Sequence, residues 1–371
     1  MLLENLEARA FRNLAGKINW GNGLNVLIGD NGQGKTNWLE AINLLSTTRS
    51  FRTAKLQETI RFGEELAIIR GRVRQSEGIA RDLQVTLEKN IKSFSINGKR
   101  ESHSRYAEEM HSFVFTAESL DVVRGQPEAR RRFLDESIIA VHPPFVQAFR
   151  DLARTLKQKN ALIQAIAERG DPLEKAAELL EPWNEQLVSL AGRVHRGRVR
   201  IVERLNSALE KRLFGNEDVQ LRYVSSLEGK GDLSDYEALL AERLRMRVQA
   251  EVVAGRALIG PHRDELEITF DGHDIRKYGS SGQQRSAMLV LLLANLEVFR
   301  ATRGEYPLFL LDDIDAELDF KRIGSLLEFL EGRTQTFITT SKAAFVNEFG
   351  ASAAIFRIAA GGAENAARSA V

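Results

Sequence analysis

The sequence predicts an α/β protein in which a mixed sheet with a phosphate-loop helix accompanies a mainly helical second lobe, without a long coiled coil. Three observations lead to this fold class. The apolar segment 26–28 is followed by a glycine-rich loop and then by a helical pattern. A second apolar segment, 308–311, ends in two acids. Between them, residues 127–253 follow a helical period over most of their length.

The composition limits the classes of protein that the chain can belong to. Its 371 residues are 43% hydrophobic, which is enough for a sizeable core, and no apolar run reaches the length of about 18 residues that a membrane span needs. Charges within the first twenty residues argue against a signal peptide. Cysteine is absent, which fits a reducing cytoplasm. We therefore expect a cytoplasmic protein without a membrane partner.

The segment "VLIGDNGQGKTNWLEAI" predicts a nucleotide site. Its residues 29–36 match G-x-x-x-x-G-K-[ST] at every fixed position, between a strand and a helix with an apolar side. Backbone N–H groups of the loop and the helix N-terminus suit phosphates, Lys35 suits the β- and γ-phosphates, and the Thr36 hydroxyl suits Mg²⁺. A chance glycine-rich turn is the alternative. The predicted ATP-binding residues of this loop are Gly29, Asn31, Gly32, Gln33, Gly34, Lys35 and Thr36.

A phosphate loop of this kind needs a carboxylate on the other side of the metal. The segment "YPLFLLDDIDAELD" supplies one at the end of an apolar strand. We predict that Asp312 binds Mg²⁺, through a water or directly, on the side opposite Thr36, and that Asp313 orients or deprotonates an attacking water. The simpler alternative is a solvated acidic turn after a core strand.

A second phosphate-binding helix end is predicted between these two motifs. In "SSGQQR" at 280–285, a serine and a glycine precede a strongly apolar helix. The hexapeptide resembles the signature loop of ABC-type ATPases, with Ser280, Gly282 and Gln283 at the matching positions. In that family this loop caps the γ-phosphate held by another subunit. "DAELD" resembles the loop that follows the metal acid, and "TFITTS" resembles the last core strand, where Thr340 occupies the switch position that is often histidine.

The resemblance narrows to the RecF family of bacterial recombinational-repair ATPases. It is carried, in order along the chain, by "LENLEARAFRNL", "NGQGKTNWLEAINLLSTTRSFR", "FVFTAESLDVVRGQPEARRRFLD", "LIGPHRDELEI", "SSGQQR" and "LLDDIDAELD". Ser281 is a departure, since the family more often has glutamine there. The resemblance implies a weak DNA-linked ATPase that acts in DNA replication and repair, binds DNA, and has RecR and RecO as partners. It also implies ATP-dependent homodimers and recombinase loading at gaps.

Three regions are expected along the chain. Residues 1–125 and 256–358 are assigned to a discontinuous ATPase lobe, residues 126–255 to a helical lobe, and residues 359–371 to a disordered tail. Asn97-Gly98 predicts a two-residue hairpin turn. Gly170-Asp171-Pro172 and a loop at 229–235 interrupt the helical pattern, so the helical lobe should hold three to five helices and no long arm.

Basic residues concentrate in the helical lobe, although the net charge of the chain is only +1. We predict sequence-independent contacts to DNA, double-stranded or gapped, within 192–212. A solvated helix face with ion pairs to Glu203 and Glu210 explains the same pattern. His262 is assigned to a structural or nucleotide-adjacent loop and not to a metal site. The candidate DNA-binding residues are Arg193, Arg196, Arg198 and Arg200.

The leading functional hypothesis is an ATP-gated DNA-binding protein whose dimer holds DNA until slow hydrolysis releases it. A second hypothesis is the nucleotide-binding subunit of a membrane transporter, which the long separation of the two phosphate motifs and the upstream hairpins disfavour. A third is an ATPase coupled to a nuclease. Only about thirty residues follow Thr340, too few for the nuclease domain of that class.

Overall fold

The structure is a computed structural model of the chain, and it describes residues 1–75, 78–89, 91–212 and 217–365. The strands in these ranges are β1 (Leu2–Phe11), β2 (Leu14–Asn19), β3 (Leu24–Ile28), β4 (Leu66–Arg74), β5 (Ala80–Glu88), β6 (Lys92–Ile96), β7 (Lys99–Glu101), β8 (Ser112–Phe115), β9 (Val219–Val224), β10 (Glu265–Phe270), β11 (His273–Asp274), β12 (Leu308–Leu311), β13 (Thr336–Thr340), β14 (Ala354–Ala359) and β15 (Gly362–Asn365).

The α-helices of the same ranges are α1 (Lys35–Thr47), α2 (His103–Tyr106), α3 (Asp121–Arg124), α4 (Pro127–Val141), α5 (Phe145–Arg169), α6 (Leu173–Leu209), α7 (Tyr236–Met246), α8 (Val248–Ala254), α9 (Ile275–Tyr278), α10 (Ser281–Arg303), α11 (Ile314–Glu317), α12 (Phe320–Leu330) and α13 (Ala343–Phe349). The chain forms two compact units. Of the residues described above, the first unit contains 1–120 and 281–365, and the second contains 121–211 and 217–280.

Two sheets form the first unit. One is antiparallel, in the order β2-β1-β4-β5-β6-β7. The other has the order β15-β14-β3-β13-β12-β8, and all of its strands are parallel except β15, which pairs antiparallel with β14. Between β6 and β7, Asn97 and Gly98 both have positive φ, as the predicted two-residue turn requires. This mixed architecture confirms the predicted α/β class.

Helix α1 joins the two sheets of the first unit. Trp38, Ile42 and Leu45, the apolar side predicted from the sequence, are fully buried. They belong to one hydrophobic cluster with Leu6 and Val85 of the antiparallel sheet, and this cluster also contains residues of the parallel sheet. Burial of three large side chains contributes several kcal/mol in total. It fixes the helix in position and thereby fixes the loop that precedes it.

The second unit is mainly helical. Helix α5 ends at Arg169 and α6 begins at Leu173, so the predicted break at Gly170-Asp171-Pro172 is confirmed. The apolar sides of α5, α6 and α7 form a core that includes Leu152, Leu187 and Leu240. Helices α4 to α8 agree with the expected three to five helices, and no long arm is present in the part of the chain described above.

The unit also contains a small antiparallel sheet that the sequence analysis missed. Strand β9 lies within the region predicted to be helical and pairs with β10, which in turn pairs with β11. This pairing places residues 256–280 in the second unit, whereas the sequence analysis assigned them to the ATPase lobe. Local periodicity could not reveal the difference because β9 and β10 are distant in the sequence.

The end of the chain also departs from the expectation. Residues 362–365 form β15, so disorder does not begin at residue 359 as predicted, and residues 366–371 lie outside the described part. Strand β13 is not the last core strand, because β14 follows it and pairs with β3 on the opposite side from β13. The hairpin of β14 and β15 is therefore part of the sheet that carries the phosphate loop.

Candidate nucleotide site

The phosphate loop runs from the end of β3 to the start of α1. Gly32 and Gly34 have φ values of 79° and 111°, which side chains with a Cβ rarely adopt. These left-handed residues bend the backbone around the ammonium group of Lys35, whose Nζ donates to the carbonyl oxygens of Gly29 at 2.7 Å and Asp30 at 2.9 Å. The positive charge of Lys35 and the N-terminus of α1, a helix of 13 residues, thus lie close together on the inner side of the loop.

Asp312 lies directly after β12 and connects this strand to α1 and to β13. Its Oδ1 accepts hydrogen bonds from the Thr36 hydroxyl at 2.9 Å and from the Thr339 hydroxyl at 2.7 Å. Burial raises the pKa of this carboxyl, while the two hydroxyl donors oppose the shift. Because β13 is the neighbour of β12 in the sheet, Thr339 reaches the acid from the adjacent strand, while Thr36 reaches it from the start of α1.

The predicted metal ligands, Thr36 and Asp312, are therefore within hydrogen-bond distance of each other. A hydroxyl and a carboxylate oxygen are hard ligands of the kind that suits Mg²⁺. Among the residues that the structure describes, no group of three or more His, Cys, Asp or Glu side chains could hold a metal ion. The donor set fits an ion that keeps waters and substrate phosphates as further ligands, as Mg²⁺ does in nucleotide sites.

Asp313 has a different environment from Asp312. It is exposed, its backbone has φ 52°, and its N–H donates to the Thr339 hydroxyl at 2.8 Å. Thr339 therefore fixes both acids, one through its hydroxyl hydrogen and one through its oxygen. An exposed carboxylate on a fixed backbone is suited to bind a water molecule at the edge of the site.

Thr340, the predicted switch residue, does not contact these acids. It is fully buried, its hydroxyl donates to Asp315 at 3.1 Å, and the same oxygen accepts from the Lys342 N–H at 3.0 Å. The structure brings Thr339, and not Thr340, to Asp312. Two adjacent threonines of one strand could not be distinguished by sequence alone without knowing which of them faces the acid.

Several polar residues that support the loop were not assigned as site residues. The Asn13 amide donates to the Gln33 carbonyl oxygen at 3.3 Å and accepts from Asn37 at 2.8 Å. Arg52 donates to the Asn37 side chain at 2.8 Å. Buried Glu40 of α1 accepts from the Arg12 Nε at 3.0 Å. The segments "FRNL" and "RSFR" contain three of these residues. Their supporting role could not be predicted, because the contacts join residues that are distant in the sequence.

The chain passes from the second unit to the first within the signature segment. Ser280 is exposed and ends the second unit, and α10 begins with Ser281 in the first. The carbonyl oxygen of Gly282 accepts from Arg322 of α12 at 3.1 Å, and Arg322 also contacts the Ser286 hydroxyl. Gln283 is half-buried. Arg322 thereby fixes the first turn of α10 to its neighbouring helix.

The candidate DNA-binding arginines of α6 have unlike surroundings. Arg193 is exposed and lies over the Phe145 ring at 4.9 Å, Arg196 is exposed and pairs with Glu237, and Arg200 is exposed. Arg198 is buried, and its guanidinium donates to Asp135 at 2.8 and 3.0 Å and to the Pro261 carbonyl oxygen at 2.7 Å. The prediction that Arg198 contacts DNA is therefore wrong, because its donors are used inside the second unit.

The block at 260–264 lies beside this buried arginine. Asp264 is fully buried, with its Oδ2 3.9 Å from a guanidinium nitrogen of Arg198. His262 is largely enclosed, and desolvation lowers its pKa to about 4, so its ring is neutral near pH 7. A ring nitrogen of His262 lies 3.3 Å from the Ala257 carbonyl oxygen, which agrees with the structural role predicted for His262.

Within the described ranges, no helix is both long and apolar enough to span a membrane.

Comparisons with known proteins show the family of this chain. The family model for the RecF/RecN/SMC N-terminal domain matches residues 2–362. The DNA replication and repair protein RecF of Halothermothrix orenii is 36% identical, with 94% of each chain covered. RecF of Bacillus subtilis is 35% identical over 92% of this chain and 93% of the relative. The chain belongs to the RecF family.

Solved structures agree with the sequence comparison. A structure of the recombination mediator protein RecF-ATPrS in the RecFOR pathway matches with a TM-score of 0.89 and 30% identity, covering 99% of this chain and 98% of the other. A structure of RecF-ATP matches with a TM-score of 0.87. The RecF fold of an ABC-type ATPase head with a helical part is therefore confirmed, and the family named from the sequence motifs was correct.

Arg198 generates a stability prediction. Arg198→Ala should lower the free energy of unfolding by about 3 kcal/mol, because removing one partner of a buried pair leaves Asp135 and Asp264 uncompensated. Arg200→Ala, on the same helix but exposed, should change it by less than about 0.5 kcal/mol. Urea unfolding of both variants measures the difference. Equal stabilities of the two variants would show that Arg198 is not a structural residue.

Proposed function

We propose that this protein is an ATP-dependent DNA-binding protein of recombinational repair. ATP binding drives two copies together, the dimer holds double-stranded or gapped DNA without sequence preference, and slow hydrolysis releases it. In the cell, the dimer would support recombinase loading at gaps in the cytoplasm together with RecR and RecO. The family membership and the names of the solved relatives support this assignment.

One observation carries the nucleotide part of the proposal. Thr36, at the start of the phosphate-loop helix, and Thr339 both donate to Asp312, which ends a neighbouring strand. This contact joins the two predicted halves of the site, which are 276 residues apart in the sequence. This contact supports a single site formed by the loop, with its Lys35 ammonium group, and by the acid.

The residues of the chain have separable roles in this proposal. The loop N–H groups and Lys35 bind the β- and γ-phosphates. Thr36 and Asp312 would hold Mg²⁺, which would neutralise phosphate charge when bound. Asp313 orients the attacking water and accepts its proton as the water oxygen bonds to the γ-phosphorus and the bond to the ADP oxygen breaks. Thr339 fixes Asp312 and Asp313 relative to each other.

The second copy completes the site. Ser280, Gly282 and Gln283 stand before or within the first turn of α10, a helix of 23 residues whose N-terminus attracts anions. We assign them to the γ-phosphate held by the partner chain. The ATP-bound dimer is then the active signal, and hydrolysis serves as a switch, so turnover should be slow. The relatives named above are DNA replication and repair proteins, which favours this proposal over the transporter and nuclease alternatives.

Asp313→Asn separates binding from hydrolysis. The variant should bind ATP like the wild type, because Lys35, Thr36 and Asp312 are unchanged, and its hydrolysis rate should fall roughly 100-fold or more, since the proton acceptor is lost. Phosphate release and equilibrium ATP binding measure the two properties. Asp82→Asn, an exposed substitution of the same chemistry, is the control and should hydrolyse normally. Normal turnover by Asp313→Asn would place the proton acceptor elsewhere.

The exposed arginines of α6 generate a prediction about salt dependence. Arg193→Glu and Arg200→Glu should each weaken DNA binding equally for unrelated sequences, and each should reduce the slope of log K against log salt by about one per lost phosphate contact. Lys321→Glu, an equal charge reversal at an exposed position of α12, is the control. If both arginine variants keep the wild-type slope in a fluorescence-anisotropy titration, this surface does not contact DNA.

A further inference from the structure

The tight turn at 61–64 presents an aromatic side chain that contributes little to the folded core. Phe62 is 103% exposed, and the turn is closed by the Glu64 N–H, which donates to the Arg61 carbonyl oxygen at 3.0 Å. Gly63 has φ +86°, the left-handed conformation that glycine adopts readily. A phenylalanine in water at the tip of a turn gains no burial energy, so its ring is available to contact a ligand.

The turn is held firmly by the start of the chain. The Arg61 N–H donates to the Ala10 carbonyl oxygen at 2.8 Å, and its guanidinium donates to the carbonyl oxygens of Arg12 at 3.1 Å and Leu14 at 2.7 Å. The Arg12 N–H donates to the Thr59 carbonyl oxygen at 2.6 Å. Phe62 is therefore exposed on a fixed backbone.

This fixed aromatic borders a groove that reaches the phosphate loop. The groove is lined by Arg12, Asn13, Gln57, Glu58, Phe62 and Ala360. Two of these residues bond the loop directly, since Asn13 donates to the Gln33 carbonyl oxygen at 3.3 Å and the Ala360 N–H donates to the Gln33 side chain at 2.7 Å. Gly361 donates to the Gln33 carbonyl oxygen at 2.8 Å. Through Asn13 and Ala360 the groove thus adjoins the loop that would hold the phosphates.

We propose that Phe62 stacks on the base of the nucleotide whose phosphates the 29–36 loop holds. The inference deepens the proposed function and rests on it. A nucleobase offers a flat π-face that stacks on aromatic side chains whatever its hydrogen-bonding edge. The groove residues provide amide, carboxylate and guanidinium groups for the ribose and the base edge. A base stacked on the ring would bury its exposed face.

The test compares a ligand that has a base with one that lacks it. ADP and inorganic pyrophosphate are titrated into wild type, Phe62→Ala, Phe62→Trp and the control Ile91→Ala, using calorimetry on the full chain. Ile91 is an exposed apolar residue of the same unit that does not line the groove. Phe62→Ala should raise the Kd for ADP about tenfold, the loss expected for one stacked base, and leave the Kd for pyrophosphate unchanged. Ile91→Ala should change neither Kd.

Phe62→Trp gives a direct signal. It should bind ADP like the wild type, and ADP, unlike pyrophosphate, should quench its indole fluorescence. Wild-type ADP affinity in Phe62→Ala, or an equal loss for ADP and pyrophosphate, overturns the stacking role while leaving the proposed nucleotide site intact. The proposed function itself fails, and this inference with it, if wild type binds neither ligand.

Discussion

The burial of α1 between two sheets is the constraint on which the candidate site depends. Trp38, Leu39 and Ile42 have no exposed surface, and they contact a core built from both sheets. Rotating or sliding the helix would expose apolar surface and open a cavity, at a cost of several kcal/mol. The residues at its N-terminus, Lys35 and Thr36, therefore stay in place at the carboxyl ends of the parallel strands, where ligands of such sheets bind.

The second constraint is the position of β13 between β3 and β12. It brings the Thr339 hydroxyl to Asp312 at 2.7 Å and to the Asp313 N–H at 2.8 Å, so one side chain positions a buried acid and an exposed one. The two carboxylates consequently differ in environment, which allows one to serve a metal and the other a water. Burial raises the pKa of Asp312.

The sequence predicted those features that depend on neighbouring residues. Strand β12, the helix after Gly34, the Asn97-Gly98 turn and the break at 170–172 follow from local pattern and turn chemistry, and the structure has them. The features that were missed depend on distant partners. Strand β9 is defined by its pairing with β10, and the burial of Arg198 depends on Asp135 and Pro261. The sequence could not tell which of Thr339 and Thr340 contacts Asp312, because this depends on which threonine of β13 faces that acid.

The central claim is that ATP joins two copies through the signature segment of each, and the mass of a Ser280→Arg variant tests it most directly. Light scattering with ATP should show wild type and Ser280→Ala at twice the 41.6 kDa of one chain. Ser280→Arg should stay at the mass of one chain while filter binding shows that it still binds ATP, because the long side chain blocks only the approach of the partner's γ-phosphate. A Ser280→Arg protein that doubles its mass with ATP and hydrolyses ATP normally would contradict the account.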